Sequence, residues 1–87
     1  GIRGIGRERV RELANYINEV PVMIKLKKEM RLEGKTLLEK YTILYNEIGD
    51  DNRFVSVVHS RAGPGIGKKT VEKLLEFIKS KNKANVI

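Results

Sequence analysis

The chain has 87 residues, of which 40% are hydrophobic, and its 18 basic residues against 11 acidic ones give a formal net charge of +7. This length predicts a single domain with a modest core. The chain has no cysteine, which excludes disulfides and thiolate metal sites. No apolar run is long enough for a membrane span, so we expect no membrane partner and an intracellular location in the cytoplasm, nucleoid or nucleus. The positive charge favours a polyanionic partner, although a solvated surface has the same composition.

Helical spacing of apolar residues predicts three helices in the first half of the chain. The first runs from about Arg7 to Val20. The second covers residues 22–32, and its apolar face includes Met30. The third covers about residues 35–49, and Gly49 fits the position just past a helix C-terminus.

The segment from Arg53 to Ala62 has features of both a strand and a helix. Its β-branched and aromatic residues favour a strand, but Phe54, Val57 and Val58 also fit the spacing of a short helix. A lone strand in a helical chain has no partner, so we predict a helix. The two aspartates at 50–51 are good candidates for its N-cap.

Glycines and a proline at residues 63–67 predict a tight turn. A last helix follows over about residues 68–79, and residues 80–87 are predicted to form a frayed basic tail. The predicted fold class is therefore all-α, with about five short helices in one domain over residues 1–79.

Residues 4–17 match residues 65–78 almost position by position. Each copy reads Gly-Ile-Gly followed by a basic residue, and then places Val, Leu, an aromatic residue and Ile at helical spacing. The match predicts two glycine hairpins, each leading directly into a helix, related by an internal repeat.

A glycine turn that leads into a helix is a phosphate-binding device. Glycine tolerates positive φ and lets another backbone come close. The first amides of the helix lack intrahelical partners and lie at the positive end of the helix dipole. Basic residues in this turn oppose the dipole, yet both copies have them, as Arg7 and Arg9 and as Lys68 and Lys69. A bound phosphate explains their presence, and solubility is the alternative explanation.

Residues 50–80 resemble a helix-hairpin-helix motif, most specifically in the run Pro64-Gly65-Ile66-Gly67 followed by Val71 and Leu74. The resemblance implies that two helices pack across the hairpin and that Ile66 fills the space between them. It also implies that the glycine amides bind a DNA phosphate without reading the base sequence.

The N-terminal copy, residues 4–17, resembles the hairpin and second helix of another such motif. The pair implies a tandem helix-hairpin-helix domain, a SAM-like bundle of the kind found in nucleases, helicases, repair proteins and junction binders. In such domains the two motifs lie about a pseudo-two-fold axis and contact both DNA strands across the minor groove. The chain differs from the family pattern in three places. Only three residues precede Gly4 in this sequence, so the first helix of the N-terminal motif is missing from it. Arg3 stands where the family has proline, and a helical pair at about residues 22–48 is inserted between the copies.

Three other interpretations of the sequence are weaker. Residues 63–70 superficially resemble a P-loop, but the first glycine is misplaced and a second lysine intervenes before Thr70. Glu47 and the aspartates at 50–51 have the residue types of a carboxylate metal site, but helix termination and capping explain them. His59, the single histidine, has no partner for a zinc site or a catalytic triad. We therefore expect no catalytic residue, no metal, no cofactor and no enzymatic activity.

The sequence predicts sequence-independent binding of duplex or branched DNA, as part of a repair, recombination or replication protein. Hairpin amides and adjacent cations would hold phosphates and make the binding salt-dependent. The alternative is a protein-interaction or dimerisation module of a larger DNA-processing protein. RNA is a third candidate ligand, because backbone contacts alone do not distinguish it from DNA. The predicted DNA-binding residues are Gly4, Gly6, Arg7, Arg9, Gly63, Gly65, Ile66, Gly67, Lys68, Lys69 and Thr70.

Overall fold

The structure, a computed structural model, describes residues 4–84 and the side chains of residues 4–81. Over this range the chain forms five helices and no strand, which confirms the predicted all-α class. The helices are α1 (Arg7–Glu19), α2 (Pro21–Lys28), α3 (Leu37–Ile48), α4 (Asp51–Arg61) and α5 (Lys68–Ala84). The ambiguous segment after residue 52 is helical, as predicted.

Capping residues set the bounds of α3 and α4. Thr36 and Glu39 form a reciprocal capping box at the start of α3, and these hydrogen bonds lower the pKa of the Glu39 carboxyl. Gly49, with φ of 75°, takes the left-handed conformation that closes α3. The Asp50 side chain then accepts a hydrogen bond from the Arg53 amide at the start of α4. The predicted end of α3 and the predicted cap of α4 are thus confirmed.

The second helix ends at Lys28, before the predicted end at residue 32. The helix is terminated there by a hydrogen bond from the Arg31 amide to the Leu26 carbonyl at 2.9 Å. Met30, which precedes Arg31, has a left-handed φ of 58°. This is the bond pattern in which a left-handed residue terminates a helix. Because Met30 is left-handed and lies past the end of the helix, its side chain does not continue the apolar face and is 69% exposed. The prediction that placed Met30 on that face is wrong.

The last helix is longer than predicted. It continues through residue 79, where a frayed tail was predicted to follow, and extends to Ala84, the last residue that the structure describes. Residues 79–84 contain no glycine or proline, so nothing in them stops the helix. The predicted tail at 85–87 and the N-terminal residues 1–3, which include Arg3, lie outside the described residues.

The helices enclose one apolar core, and within residues 4–81 the tyrosine hydroxyl of Tyr41 is the one polar side-chain group among the buried core residues. Phe54 makes edge-on contacts with Tyr41 and Tyr45, with ring centroids 6.4 Å and 5.6 Å apart. No helix in the described range is long and apolar enough to cross a membrane. The core residues are Ile5, Leu13, Ile17, Met23, Tyr41, Leu44, Phe54, Val55, Val58, Ala62, Ile66, Val71, Leu74, Leu75 and Ile78.

The third helix joins the pair α1 and α2 to the pair α4 and α5. It packs against α4, α5 and α1, while α2 packs mainly on α1 and α4 mainly on α5. The buried Tyr41 hydroxyl donates to the Leu13 carbonyl at 2.6 Å and so joins α3 to α1. Burial raises the pKa of the Tyr41 phenol far above its usual range, so it stays a neutral donor. With both α1 and α5 held on α3, their N-terminal ends can lie near each other.

Candidate nucleic-acid interface

The second glycine turn, residues 63–67, is here called hairpin 2. The Ile66 amide donates to the Gly63 carbonyl at 3.1 Å, and Gly63 has φ of 138°. Ile66 itself is 2% exposed and belongs to the core. On the α4 side, His59 Nδ1 lies 3.2 Å from the Ile66 carbonyl oxygen, to which it donates when that nitrogen carries the proton. The predicted tight turn is therefore present, and the buried Ile66 side chain anchors it in the core.

The first glycine turn, residues 4–6, is here called hairpin 1. Gly4 has φ of 84°, and Ile5 is 8% exposed in the same core as Ile66. Gly6 is the N-cap of α1 and has ordinary extended backbone angles, φ −63° and ψ 156°. Each hairpin thus buries its isoleucine and leaves the glycines on both sides of it exposed.

The start of α5 presents a run of unpaired donors. The first bonds of this helix go from the Thr70 and Val71 amides to the Gly67 carbonyl, at 3.1 Å and 3.3 Å. The amides of Gly67, Lys68 and Lys69 donate to no acceptor within the described chain. Such amides lie at the positive end of the helix dipole and suit an anion.

The start of α1 has a similar arrangement. Its first bond runs from the Val10 amide to the Gly6 carbonyl at 3.0 Å, and Gly6 has no side chain to cap the helix. The amides of Glu8 and Arg9 donate to none of the described carbonyls. Both hairpins therefore end in uncapped helix starts.

The outer glycines leave room for a ligand. A Cβ atom added to Gly6 or to Gly67 would meet no atom within 4 Å. A Cβ on Gly65 would lie 2.7 Å from the Glu12 Oε2 atom, so a side chain there would displace Glu12. Gly6 and Gly67 can therefore be substituted without a clash inside the protein, whereas a side chain at Gly65 requires Glu12 to move.

Each hairpin is contacted by the helix that follows the other hairpin. Arg9 of α1 donates through Nε to the Gly65 carbonyl at 3.3 Å. Lys73 of α5 donates through Nζ to the Gly4 carbonyl, also at 3.3 Å. The two turns therefore lie beside each other on one side of the bundle, and the Arg9 guanidinium still has further N–H donors to offer.

The two helix starts carry different charges. The first turn of α5 has no acidic residue, and Lys68 and Lys69 are both exposed. The first turn of α1 has Glu8 between two exposed arginines. Between the start of α1 and hairpin 2 lies an open depression lined by Gly6, Arg7, Glu8, Arg9, Glu12 and Gly65.

Comparison with known protein families, characterised proteins and solved structures gives no match to this chain. The geometry and chemistry of the two hairpins are therefore the basis for a functional proposal.

The structure groups several of the predicted site residues. Gly6, Arg7, Arg9 and Gly65 line one depression, and Lys68 and Lys69 follow directly on hairpin 2. Thr70 is half-buried. Ile66 is shielded from solvent, so it supports the turn from within and has almost no surface for a ligand.

Sequence reasoning missed Glu12 and Lys73, the residues that lie against the opposite hairpins. One signal was present, because Glu12 and Lys73 occupy matching positions in the two copies. Each comes in the second turn of a helix that begins at a hairpin. If two such copies pack against each other, these positions face the neighbouring turn.

The acidic residues before and inside α4 have structural partners. Asp50 caps the helix, and Asp51 pairs with Lys79 and accepts from the Tyr45 hydroxyl. These bonds, the one from Lys79 foremost, hold the pKa of the Asp51 carboxyl below its usual range and raise that of Lys79. Within the part of the chain that the structure describes, no three potential metal ligands come together.

Proposed function

We propose that this domain binds the phosphates of DNA without reading the base sequence, through the amides that begin α1 and α5. The observation that carries the proposal is the unpaired run of amides at Gly67, Lys68 and Lys69, which is exposed and open to approach. A phosphate oxygen satisfies such donors by charge-assisted hydrogen bonds, and the two lysine side chains supply countercharge.

The contacts between the hairpins support two related sites rather than one. In the sequence alignment of the copies, Gly4 matches Gly65 and Glu12 matches Lys73. Lys73 lies against Gly4, and Glu12 lies against Gly65. The same two aligned positions are therefore in contact twice, each time between one copy and the other. This is the pattern of two repeats about a pseudo-two-fold axis, and it supports a tandem helix-hairpin-helix arrangement.

Two neighbouring phosphate sites favour a polymer as the ligand. A nucleic-acid backbone presents phosphates at regular spacing, so two hairpins on one side of the domain can engage it together. The formal net charge of +7 adds a general attraction for such a polyanion. Duplex or branched DNA in repair, recombination or replication is the target that these features fit best, and the binding needs no catalytic group.

The test is a titration of labelled duplex, single-stranded and four-way-junction DNA at several salt concentrations, with the wild type and Gly67→Asp. Aspartate is a favourable N-cap, and a Cβ at this position meets no atom, so the variant is expected to fold. Its carboxylate would accept from the same amides and repel phosphate.

Two matched controls separate the possible causes of a loss of binding. Gly67→Asn has nearly the same size and capping ability without the charge. Asn52→Asp adds the same negative charge near the start of α4, where Asp50 already caps the helix. We expect salt-dependent binding that Gly67→Asp weakens most. Binding that is absent near physiological salt, or that is equal in Gly67→Asp and Asn52→Asp, contradicts the proposal.

A protein-interaction module is a second candidate, favoured by one observation. Within residues 4–81 the exposed large hydrophobic residues are Ile24 and Met30, at 44% and 69%, and both belong to α2 or its end. An apolar docking face there would tolerate salt and Gly67→Asp. It would instead be weakened by Ile24→Ser or Met30→Ser, which leave both hairpins unchanged.

A further inference from the structure

Glu12 has an unusual position in the second turn of α1. Its Oε2 atom is shut off from solvent and makes no hydrogen bond, and within the described side chains no other buried polar side-chain atom lacks a partner. This oxygen lies 2.7 Å from the place of a Cβ on Gly65 and 3.5 Å from that of a Cβ on Gly63. Buried polar groups in folded proteins nearly always have partners, so this one calls for an explanation.

No cation neutralises the Glu12 carboxylate within the described residues. Arg9, one turn earlier on the same helix, directs its Nε to the Gly65 carbonyl instead. At the matching position of the other copy, Lys73 finds a partner in the Gly4 carbonyl. A lysine at position 12 would have the Gly65 carbonyl as an equivalent acceptor. The carboxylate therefore packs against hairpin 2 without a hydrogen bond from Oε2 or an ion pair.

We infer that Glu12 opposes phosphate binding at hairpin 2 and so limits the affinity of the domain for DNA. The inference rests on the proposed function. The carboxylate lies directly against the turn whose outer amides would bind the phosphate. Two negative charges at close range repel, and they repel more strongly where solvent is partly excluded than in bulk water. Glu12 thereby offsets part of the attraction from Lys68 and Lys69.

Glu12→Gln and Glu12→Lys test the inference against the matched control Glu19→Gln. Glu12→Gln is expected to tighten duplex binding roughly fivefold, which corresponds to about 1 kcal/mol, with an unchanged salt slope. Glu12→Lys is expected to tighten it further and to steepen the slope by about 0.9, the value for one added phosphate contact.

The control makes the same change of charge at a distant place. Glu19 is exposed in the last turn of α1. About two turns, or roughly 10 Å along the helix, separate it from Glu12, which exceeds a Debye length of about 8 Å at physiological salt. Glu19→Gln is therefore expected to change the affinity by less than about twofold.

A double-mutant cycle with Gly67→Asp shows whether Glu12 acts at hairpin 2. The gain from Glu12→Gln should shrink when Gly67→Asp has removed the phosphate site, because residues that share a site are not additive. Thermal melts should show that Glu12→Gln is no less stable than the wild type, since it removes an unpaired charge. A merely structural Glu12 predicts the opposite, lower stability without tighter binding.

The outcomes separate the inference from the function on which it depends. If the wild type binds no DNA, or binds it with no sensitivity to Gly67→Asp, the proposed function fails and the inference with it. If the wild type binds and Gly67→Asp weakens binding, but Glu12→Gln changes the affinity no more than Glu19→Gln, the inference alone is overturned.

Discussion

Gly4 and Gly65 occupy matching positions when residues 4–17 are aligned with residues 65–78, but their backbones differ. Gly4 has φ of 84°, whereas in hairpin 2 the positive φ falls on Gly63 and Gly65 lies outside the left-handed region. Pro64 fixes its own φ near −65°, and the positive φ falls on the residue before it, two residues before Gly65. Two turns that share Gly-Ile-Gly therefore reach similar helix starts by different backbone paths.

The two hairpins also differ in their charges. Hairpin 2 leads into Lys68 and Lys69, with Glu12 behind it. Hairpin 1 leads into a turn that contains Glu8, with Lys73 behind it. The first turn of α5 thus has two lysines and no acidic residue, whereas that of α1 has Glu8 between two arginines. Groups in the first turn lie closest to the free amides, so we expect hairpin 2 to be the stronger phosphate site.

The largest expected effect comes from removing the buried isoleucines. Ile66→Ala should lower the free energy of unfolding by about 3 kcal/mol, because Ile66 is 2% exposed and truncating a buried isoleucine leaves a cavity. Ile5→Ala should cost less, about 2 kcal/mol, because Ile5 is 8% exposed. Urea denaturation followed by circular dichroism measures both values. Equal or reversed costs would show that hairpin 1 is as firmly packed as hairpin 2.

Substitution of the two N-cap glycines compares the phosphate sites directly. Gly67→Asp should weaken duplex binding by about tenfold to a hundredfold, the equivalent of one charge-assisted hydrogen bond or more. Gly6→Asp should weaken it by about threefold to tenfold, because Glu8 already reduces the attraction there. Fluorescence anisotropy at fixed salt gives the two ratios. A greater loss in Gly6→Asp would reverse the assigned order of the sites.

The cations that join the hairpins give a smaller effect. Arg9→Met and Lys73→Met keep most of the aliphatic stem but lose the donors to the Gly65 and Gly4 carbonyls. Each should lower the free energy of unfolding by less than about 1 kcal/mol, since both pairs are exposed. Arg9→Met should also reduce the salt slope of DNA binding by about 0.9 if Arg9 contacts a phosphate. An unchanged slope would leave Arg9 with a purely structural role.

The smallest effect concerns the ion pairs that hold the helix after each hairpin. Asp51 pairs with Lys79 of α5, while no ion pair within the described residues involves α1. The pKa of Asp51 is lowered in the folded protein, so its stabilisation is present above the unfolded pKa of about 3.9 and is lost as pH falls through the folded pKa.

Asp51→Asn should therefore melt slightly below the wild type at pH 7, and the difference should shrink as the pH falls below the unfolded pKa of about 3.9. Scanning calorimetry over this pH range measures it. A difference between Asp51→Asn and the wild type that persists in acid would mean that the ion pair is not its cause.

Local signals in the sequence predicted much of the fold. Asp50 and Gly49 have the residue types that a helix cap and a helix end require, and the structure uses both in those roles. Met30 shows the limit of such signals. Its spacing suits a helix face, and Gly34 is the nearest obvious stop. Hydrogen bonds at residues 26–31 nevertheless end the helix earlier, and no residue type in that segment indicates a helix end.

The candidate site was predictable only in part. The amides at Gly67 follow from the hairpin pattern, because an uncapped helix start leaves donors free wherever it occurs. The contacts of Glu12 and Lys73 join residues far apart in the chain, and they depend on how the two copies pack. The positive φ of Gly63 also depends on the whole turn, since five glycines in the two hairpins have equal freedom to adopt it.

The most direct test of phosphate binding by the hairpin amides is an NMR titration of the ¹⁵N-labelled domain with a short DNA duplex. We predict that the largest amide shifts occur at Gly67, Lys68 and Lys69, followed by Glu8 and Arg9, and that they diminish as salt is added. Shifts concentrated on α2, or no shifts at the starts of α1 and α5, would contradict the account.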